Sequence, residues 1–316
     1  MRPDPRTVLA ARIVWAPVSV LAAGCLAWCA VTLLPGDAAT NILGPHATAG
    51  RLAELRAAMG LDRPALEQMR HWLRGLLSGD LGTSILTGQP VADLIAPRLG
   101  ASAVLAGAAS ALALGVGIPL GTMIGLRPRG RGIAGAVLLG IGAVPDFVVG
   151  SVAVGLLAVS WRLLPSLSRL QTGQWPWQRP EAMVIPVLAM ALPVIVWVAR
   201  YTAAVVERQE RTAHVRAARL MGVSERRVLL HHLLPGALAP LFQLFGWMAS
   251  GLVGSTVVVE QLVEFPGIGS LLGRAVSQRD TPVAVGIVTV LAAVIAVSVL
   301  VCDLAARRLD PRLASR

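Results

Sequence analysis

The sequence predicts an all-α membrane protein with six transmembrane helices, and two observations support this fold class. Of its 316 residues, 55% are hydrophobic and only 14% are charged, whereas a soluble domain carries about 25% charged residues. Six stretches also contain the roughly 20 mainly apolar residues that a helix needs to cross a bilayer. These stretches are Val8–Leu34, Leu99–Leu126, Ile133–Ser160, Ala182–Ala204, Ala237–Val259 and Val283–Ala306.

The first span follows a short basic N-terminus, as a cleaved secretion signal would. The apolar run Val8–Leu34 is much longer than the roughly 7–15 apolar residues of a signal peptide. No convincing small-residue cleavage site ends it. We therefore expect residues 1–34 to form a cytoplasmic N-terminus and a retained first transmembrane helix.

A polar segment, residues 35–98, separates the first two spans. Its charges are mixed, and apolar residues recur at helical spacing around Ala49–Leu77. We expect this segment to be a small insertion outside the cytoplasm. Residues 99–316 then form a core of five transmembrane helices, in which the third and fourth are joined by a loop with the interfacial tryptophans Trp161, Trp175 and Trp177.

The distribution of arginine predicts the orientation of the chain. Basic residues are retained on the cytoplasmic side of membrane proteins. With the N-terminus inside, the inner segments hold 17 of the 28 basic residues and 6 of the 17 acidic ones, so the whole net charge of +11 falls on the inner face. The sequence thus predicts a multi-pass protein of the cell membrane with both termini cytoplasmic. The basic excess reports orientation, and no nucleic-acid partner is expected.

All 28 basic residues are arginine, and this excludes two kinds of chemistry. A chain without lysine cannot supply the P-loop lysine of nucleotide hydrolases or the Schiff-base lysine of pyridoxal enzymes. Its histidines show no i, i+4 pair of the kind that binds a metal on a helix. We therefore predict no catalytic residue, no metal site and no cofactor in this chain.

The loop between the fourth and fifth spans is the most informative segment. It reads HVRAARLMGVSERRVLLHHLLPGALAP over residues 214–240. Gly222 ends a first helical stretch, and Ser224 is a candidate N-cap for a second. The pattern predicts two short helices split by a glycine, forming a compact knob that another protein could grip.

At this loop the chain resembles the permease subunits of ATP-binding-cassette importers, in particular the dipeptide, oligopeptide and nickel permeases, whose inner loop carries an "EAA" motif. Further pieces of the resemblance occur in order along nearly the whole chain. They are Leu34-Pro35-Gly36-Asp37, Met59-Gly60-Leu61-Asp62-Arg63-Pro64, Trp72-Leu73, Gly79-Asp80-Leu81-Gly82-Thr83-Ser84, Gln89-Pro90-Val91, Arg98-Leu99, Gly117-Ile118-Pro119-Leu120-Gly121, Arg227-Val228, Val258-Val259-Glu260, Phe265-Pro266-Gly267-Ile268-Gly269, Arg279-Asp280 and Asp310-Pro311-Arg312.

The resemblance implies half of an importer. It implies a second homologous permease as heterodimer partner, two ATPases that bind ATP and Mg²⁺ and dock on the inner loops, and an extracytoplasmic solute-binding protein. Residues 213–240 would be the coupling loop, working by alternating access on peptides, or alternatively on nickel, metal chelates or haem. The expected coupling residues are Arg216, Ala217, Ala218, Gly222, Glu225 and Pro240.

The loop departs from the family pattern at two places. Met221 stands where a lysine usually precedes the glycine, and Pro235-Gly236 stands where Arg-Asn is usual. Both changes remove polar groups near the expected ATPase contact. The small and special residues of the loop are therefore the expected determinants of its shape.

Asp146 is a candidate for the translocation pathway. In a straight third span it would lie about 20 Å deep, where a carboxylate is costly unless it faces water, a partner or a pore. A pore-facing carboxylate would attract the amine of a peptide or a cationic chelate. The alternative is a helix broken at Pro145, whose irregularity admits water to a tolerated aspartate.

The outer hairpin Glu260–Pro282 contains proline and glycine that preclude a straight helix, so a turn and a short helix are expected. Its candidates for an outer gate or a contact with the binding protein are Glu264, Pro266, Gly267, Gly269, Arg279 and Asp280. The alternative is a packed turn that holds the last two spans together.

Two functions of other classes remain as alternatives. An ion-coupled secondary transporter often shows internal repeats, and no convincing repeat relates the two halves of this sequence. An intramembrane enzyme would need a constellation such as HExxH or paired aspartates within the spans. The sequence offers neither.

Overall fold

The computed structural model describes residues 5–34, 36, 38–44, 48–127, 131–171 and 173–309. Within these ranges the regular structure is helical, apart from one isolated antiparallel bridge between Thr83 and Pro90. The all-α prediction is therefore confirmed for the described part of the chain. The motif residues Pro35 and Asp37 and the tail motif 310–312 lie outside it.

The α-helices are α1 (Pro5–Leu33), α2 (Ala38–Leu43), α3 (Ala49–Ala58), α4 (Ala65–Leu77), α5 (Val91–Leu126), α6 (Arg131–Gly142), α7 (Asp146–Ala153), α8 (Pro180–Glu210), α9 (Ala213–Leu220), α10 (Glu225–Val228), α11 (Leu234–Leu262), α12 (Ile268–Ser277) and α13 (Thr281–Leu309). Among the described residues, α1, α5, α8, α11 and α13 are long and apolar enough to cross a membrane.

The third predicted span, Ile133–Ser160, is not one straight helix. Helix α6 ends at Gly142, α7 begins at Asp146 and continues as a π-helix over Val154–Ser160, and the two parts meet at an angle of 82°. Proline at 145 has no N–H to donate and disfavours helical geometry in the residue before it. The described part of the chain thus has five candidate spans, or six if the bent pair crosses as one.

The predicted insertion is itself helical. Helices α3 and α4 fall within the predicted Ala49–Leu77, separated by a turn in which Gly60 has φ +66°. The second span begins at Val91, eight residues before the predicted Leu99, because helical structure extends beyond the apolar run into the polar sequence. Apolar length alone could not place that boundary.

The chain divides into two compact units. Within the described ranges, the first comprises residues 5–13, 103–265 and 297–309, and the second comprises residues 14–102 and 266–296. In the first unit, glycines of α5 meet α8 at very short range. A Cβ at Gly117 or Gly125 would lie 2.7–2.8 Å from side-chain atoms of Val198 or Val206, so only glycine permits this approach.

In the second unit, the insertion packs on two membrane helices. The indole of Trp72 on α4 lies against Gly24 of α1. A Cβ added to Gly24 would also lie only 2.7 Å from Thr289 Oγ1 of α13. The carboxylate of Asp280, just before α13, accepts hydrogen bonds from the Ser84 hydroxyl and from the Ile85 N–H (3.2 Å). These contacts join the insertion to α1 and to the first part of α13.

Candidate functional site

The loop between α8 and α11 contains the two short helices that the sequence predicts. Helix α9 ends in a Schellman motif, in which Gly222 N–H donates to the Arg219 carbonyl (3.0 Å) and Val223 N–H to the Ala218 carbonyl (3.1 Å). Gly222 has φ +77°, a conformation that other residues adopt only with strain. Ser224 occupies the N-cap position of α10, although its side chain makes no capping hydrogen bond.

A small apolar interior holds the two helices together. Val215 and Ala218 of α9 and Val228 of α10 are buried against one another, and Val223 packs on them. The loop therefore has its own core, and the position of α10 relative to α9 is fixed.

On the polar side of the loop, Arg219 binds two carboxylates. Its Nε donates to Glu225 Oε1 (3.0 Å), and its Nη2 to Glu225 Oε2 (3.1 Å) and to Glu210 Oε1 (3.0 Å) at the end of α8. These hydrogen bonds, that of Glu225 first and that of Glu210 second, raise the pKa of the Arg219 guanidinium above its ordinary value. One guanidinium thus bridges three helices.

Proline 240 creates a link between α8 and α11. Because it has no N–H, it cannot donate to the Gly236 carbonyl one turn earlier in α11. That carbonyl instead accepts from Gln209 Nε2 of α8 at 2.7 Å. The Tyr201 hydroxyl of α8 also donates to the Pro240 carbonyl (3.4 Å), so two hydrogen bonds join the helices that the loop connects.

The tip of the loop exposes two apolar side chains. Leu220 is 89% exposed and Met221 is 75% exposed, and they directly precede the turn at Gly222. Burying such side chains is favourable, so this tip is suited to contact another protein. This pair was not predicted. Its signal in the sequence was two apolar residues that do not share the helix face of the apolar Val215 and Ala218.

The predicted coupling residues take different places in this loop. Arg216, Ala217 and Gly222 are exposed near the tip, whereas Ala218 is buried in its core. Glu225 is held by Arg219, and the half-buried Pro240 lies within α11. The hydrogen bonds that Arg219, Glu210 and Gln209 make in and around the loop were not predicted from the sequence.

Asp146 is the first residue of α7 and is half-buried. Its Oδ1 accepts a hydrogen bond from the Phe147 N–H at 2.8 Å, and a carboxylate is stabilised at a helix N-terminus. The expected depth of about 20 Å assumed a straight span, and the bend of 82° between α6 and α7 removes that assumption. The structure therefore supplies a local reason for the carboxylate to be present.

The outer hairpin forms the expected turn and short helix, α12. Gly267, Gly269 and Asp280 are buried and Pro266 is half-buried, while Arg279 donates to the Val276 carbonyl (3.3 Å).

Glu264 differs from these hairpin residues because its side chain is 49% exposed and pairs with Arg169. At φ +54° it begins the turn whose next residue, Phe265, is fully buried. Of the predicted hairpin candidates, Glu264 is thus the one that presents an exposed carboxylate.

Two family models match the chain. Residues 117–315 match "Binding-protein-dependent transport system inner membrane component", and residues 6–106 match the N-terminal part of such membrane components. Together they cover both the insertion and the loop between α8 and α11.

Relatives match over most of their length. The oligopeptide transport system permease protein AppB of Bacillus subtilis is 31% identical over 88% of this chain and 90% of its own. The dipeptide permease DppB of Lactococcus lactis is 30% identical over 89% and 90%, and the glutathione permease GsiC of Salmonella choleraesuis is 33% identical over 80% and 81%. The chain therefore belongs to the family of inner membrane components of binding-protein-dependent transport systems.

Proposed function

We propose that this chain is a permease subunit of an ATP-driven importer of peptides. The observation that carries the proposal is the loop between α8 and α11, a self-contained knob with an exposed apolar tip that is tied to two membrane helices. The relatives described above are named for oligopeptide, dipeptide and glutathione transport, and they support the choice of cargo.

The proposal includes partners that this chain needs. ATP and Mg²⁺ bind on two ATPase subunits, since the chain has no lysine to form a P-loop. A second homologous permease completes the pathway as a heterodimer, and a binding protein delivers the peptide from outside. The arginine distribution supports cytoplasmic termini, and it supports a loop on the same side of the membrane as the proposed ATPases.

The proposed mechanism is alternating access. Closure of the ATPases displaces the tip at Leu220 and Met221. The internal core and the contacts of Arg219 and Gln209 carry that displacement to the ends of α8 and α11. These helices then move with the paired permease and change the side to which the pathway is open.

The proposal is tested by reconstituting the chain in liposomes with a second permease, ATPases and a binding protein, chosen from the genes that neighbour its own. We expect ATP-dependent uptake of a radiolabelled tripeptide that requires all four components. Uptake of a nickel chelate or haem instead would replace peptide as the cargo. Uptake driven by an ion gradient without ATPases would refute the importer proposal.

The apolar tip yields a first prediction. Replacing Leu220 or Met221 by aspartate should lower the amount of ATPase that co-purifies about tenfold, because burial of one such side chain is worth about 1.5–3 kcal/mol and each 1.4 kcal/mol is a factor of ten. Leu66→Asp is the matched control, since Leu66 is 52% exposed but lies on α4 of the insertion. Equal co-purification from the tip variants and the control would show that the tip is not the contact.

Asp146 yields a second prediction, on the proposal that it faces the pathway. Asp146→Asn removes the charge while keeping a side chain of the same shape. Uptake of a lysine-containing tripeptide should then fall several-fold relative to uptake of a neutral tripeptide by the same vesicles. An unchanged ratio between the two peptides would leave the carboxylate with only its role at the start of α7.

We further propose that the outer hairpin meets the binding protein through its exposed residues. The half-exposed Glu264, paired with Arg169, presents charge at the surface. The buried Gly267, Gly269 and Asp280 shape the hairpin from within. In this proposal, Glu264 contacts the binding protein, and the buried residues position the backbone of the hairpin.

A further inference from the structure

We infer that Arg219 is a positioning residue, which makes the tip of the loop and the end of α8 move as one body. The inference rests on the proposed function. It concerns how much of the displacement produced by an ATPase reaches the membrane helices.

The geometry of the guanidinium provides the first argument. Arg219 holds Glu225 through a fork of two hydrogen bonds (3.0 and 3.1 Å) and holds Glu210 through a third (3.0 Å). A planar guanidinium fixes the directions of its partners, whereas an ammonium acts as a point charge on a flexible stem. Arginine can therefore hold α8, α9 and α10 in a defined arrangement.

Burial provides the second argument. The side chains of Arg219 and Glu210 are only 33% and 18% exposed, so salt screens this pair less than a surface pair. By contrast, Arg211 and Glu207 form an i, i+4 pair at 2.7 Å along the chain, with Arg211 71% exposed. The Arg219 contacts join separate helices, and the Arg211 contact does not.

The turn at Gly222, between α9 and α10, is where the loop would bend. A Cβ built on Gly222 would meet no heavy atom within 4 Å, its chain neighbours aside, so no side-chain contact at this residue itself resists bending. The apolar core of Val215, Ala218 and Val228 restrains one side of the loop. Arg219 restrains the other, so that a push on the tip is transmitted instead of being absorbed by bending at Gly222.

The experiment measures tripeptide transported per ATP hydrolysed by the complete transporter in liposomes, using radiolabelled trialanine. In Arg219→Gln we expect this ratio to fall about tenfold, within the range by which residues of a coupling network alter communication between sites. ATP hydrolysis and the amount of assembled complex should stay close to those of the unaltered protein. A purely structural role would lower assembly, hydrolysis and uptake together and leave the ratio unchanged.

Matched variants make the test specific. Arg211→Gln removes an arginine ion pair of the same loop and should leave the ratio unchanged. Arg219→Lys keeps the charge without the fork and should fall between Arg219→Gln and the unaltered protein. Glu225→Gln changes a partner of Arg219 whose side chain is 72% exposed. It therefore tests the link between Arg219 and Glu225 even if the Arg219→Gln variant does not assemble.

The outcomes separate the inference from the proposed function. An unchanged ratio in either Arg219→Gln or Glu225→Gln, or an equal fall in Arg211→Gln, overturns the positioning role while the transporter still works. Failure of the unaltered protein to bind ATPases or transport the tripeptide overturns the proposed function itself.

Discussion

Replacing Gly222 by valine is expected to abolish uptake and to lower ATPase co-purification at least tenfold. The residue lies in the left-handed region at φ +77°, where an L-residue costs roughly 1–2 kcal/mol and a β-branched one is a clear outlier. The new side chain would also directly follow Leu220 and Met221 in the sequence, and these two residues form the proposed contact surface. Strain and bulk therefore act on the same contact.

A graded series separates these two effects. A Cβ at Gly222 meets no heavy atom within 4 Å, its chain neighbours aside, so alanine there adds backbone strain with little bulk. Gly222→Asn is expected to retain most activity, because asparagine tolerates the left-handed region. Gly222→Ala should lie between asparagine and valine.

Gly60→Val is the matched control for the series. Gly60 has φ +66° and also meets no heavy atom within 4 Å, but it lies in the turn between α3 and α4. It should suffer similar backbone strain without losing the ATPases. Wild-type co-purification and uptake in Gly222→Val would show that the loop does not couple the ATPases to transport.

The helices that cross the membrane could be predicted from sequence because their signal is local. Apolar length indicates α1, α5, α8, α11 and α13 without knowledge of their neighbours. The break at Pro145 was also visible as a proline. The bend of 82° was not, because a proline within an apolar run can either kink a helix or end it, and neighbouring helices decide which.

The contacts within the loop depend on chain reversals that the sequence does not reveal. Arg219 and Glu210 meet only after the chain turns between α8 and α9. Gln209 reaches Gly236 because Pro240 leaves that carbonyl free for a second segment. Gly222 could be named as the end of a helix, and Pro240 through the family resemblance, but the partners that long-range folding brings together could not be named.

Replacing Gly121 by alanine is expected to destabilise the protein by about 1–3 kcal/mol, the usual range for overpacking. A Cβ there would overlap the Ala199 carbonyl oxygen and lie 2.7 Å from Thr202 Cβ. The overlapped atom belongs to the backbone of α8, so no rotamer change relieves the clash, and α8 itself must shift. Thermal unfolding in detergent, followed by circular dichroism, measures the loss.

Gly115→Ala, on the same helix, should have the opposite sign, because a Cβ at Gly115 meets no heavy atom within 4 Å and alanine gains about 1 kcal/mol over glycine in a helix. Equal melting temperatures for the two variants would contradict the close approach of α5 and α8.

Since α8 ends at Glu210, where Arg219 binds, the forced shift of α8 in Gly121→Ala also displaces the loop. Gly121→Ala should therefore lose tripeptide uptake even at temperatures where the protein remains folded, whereas Gly115→Ala should keep it.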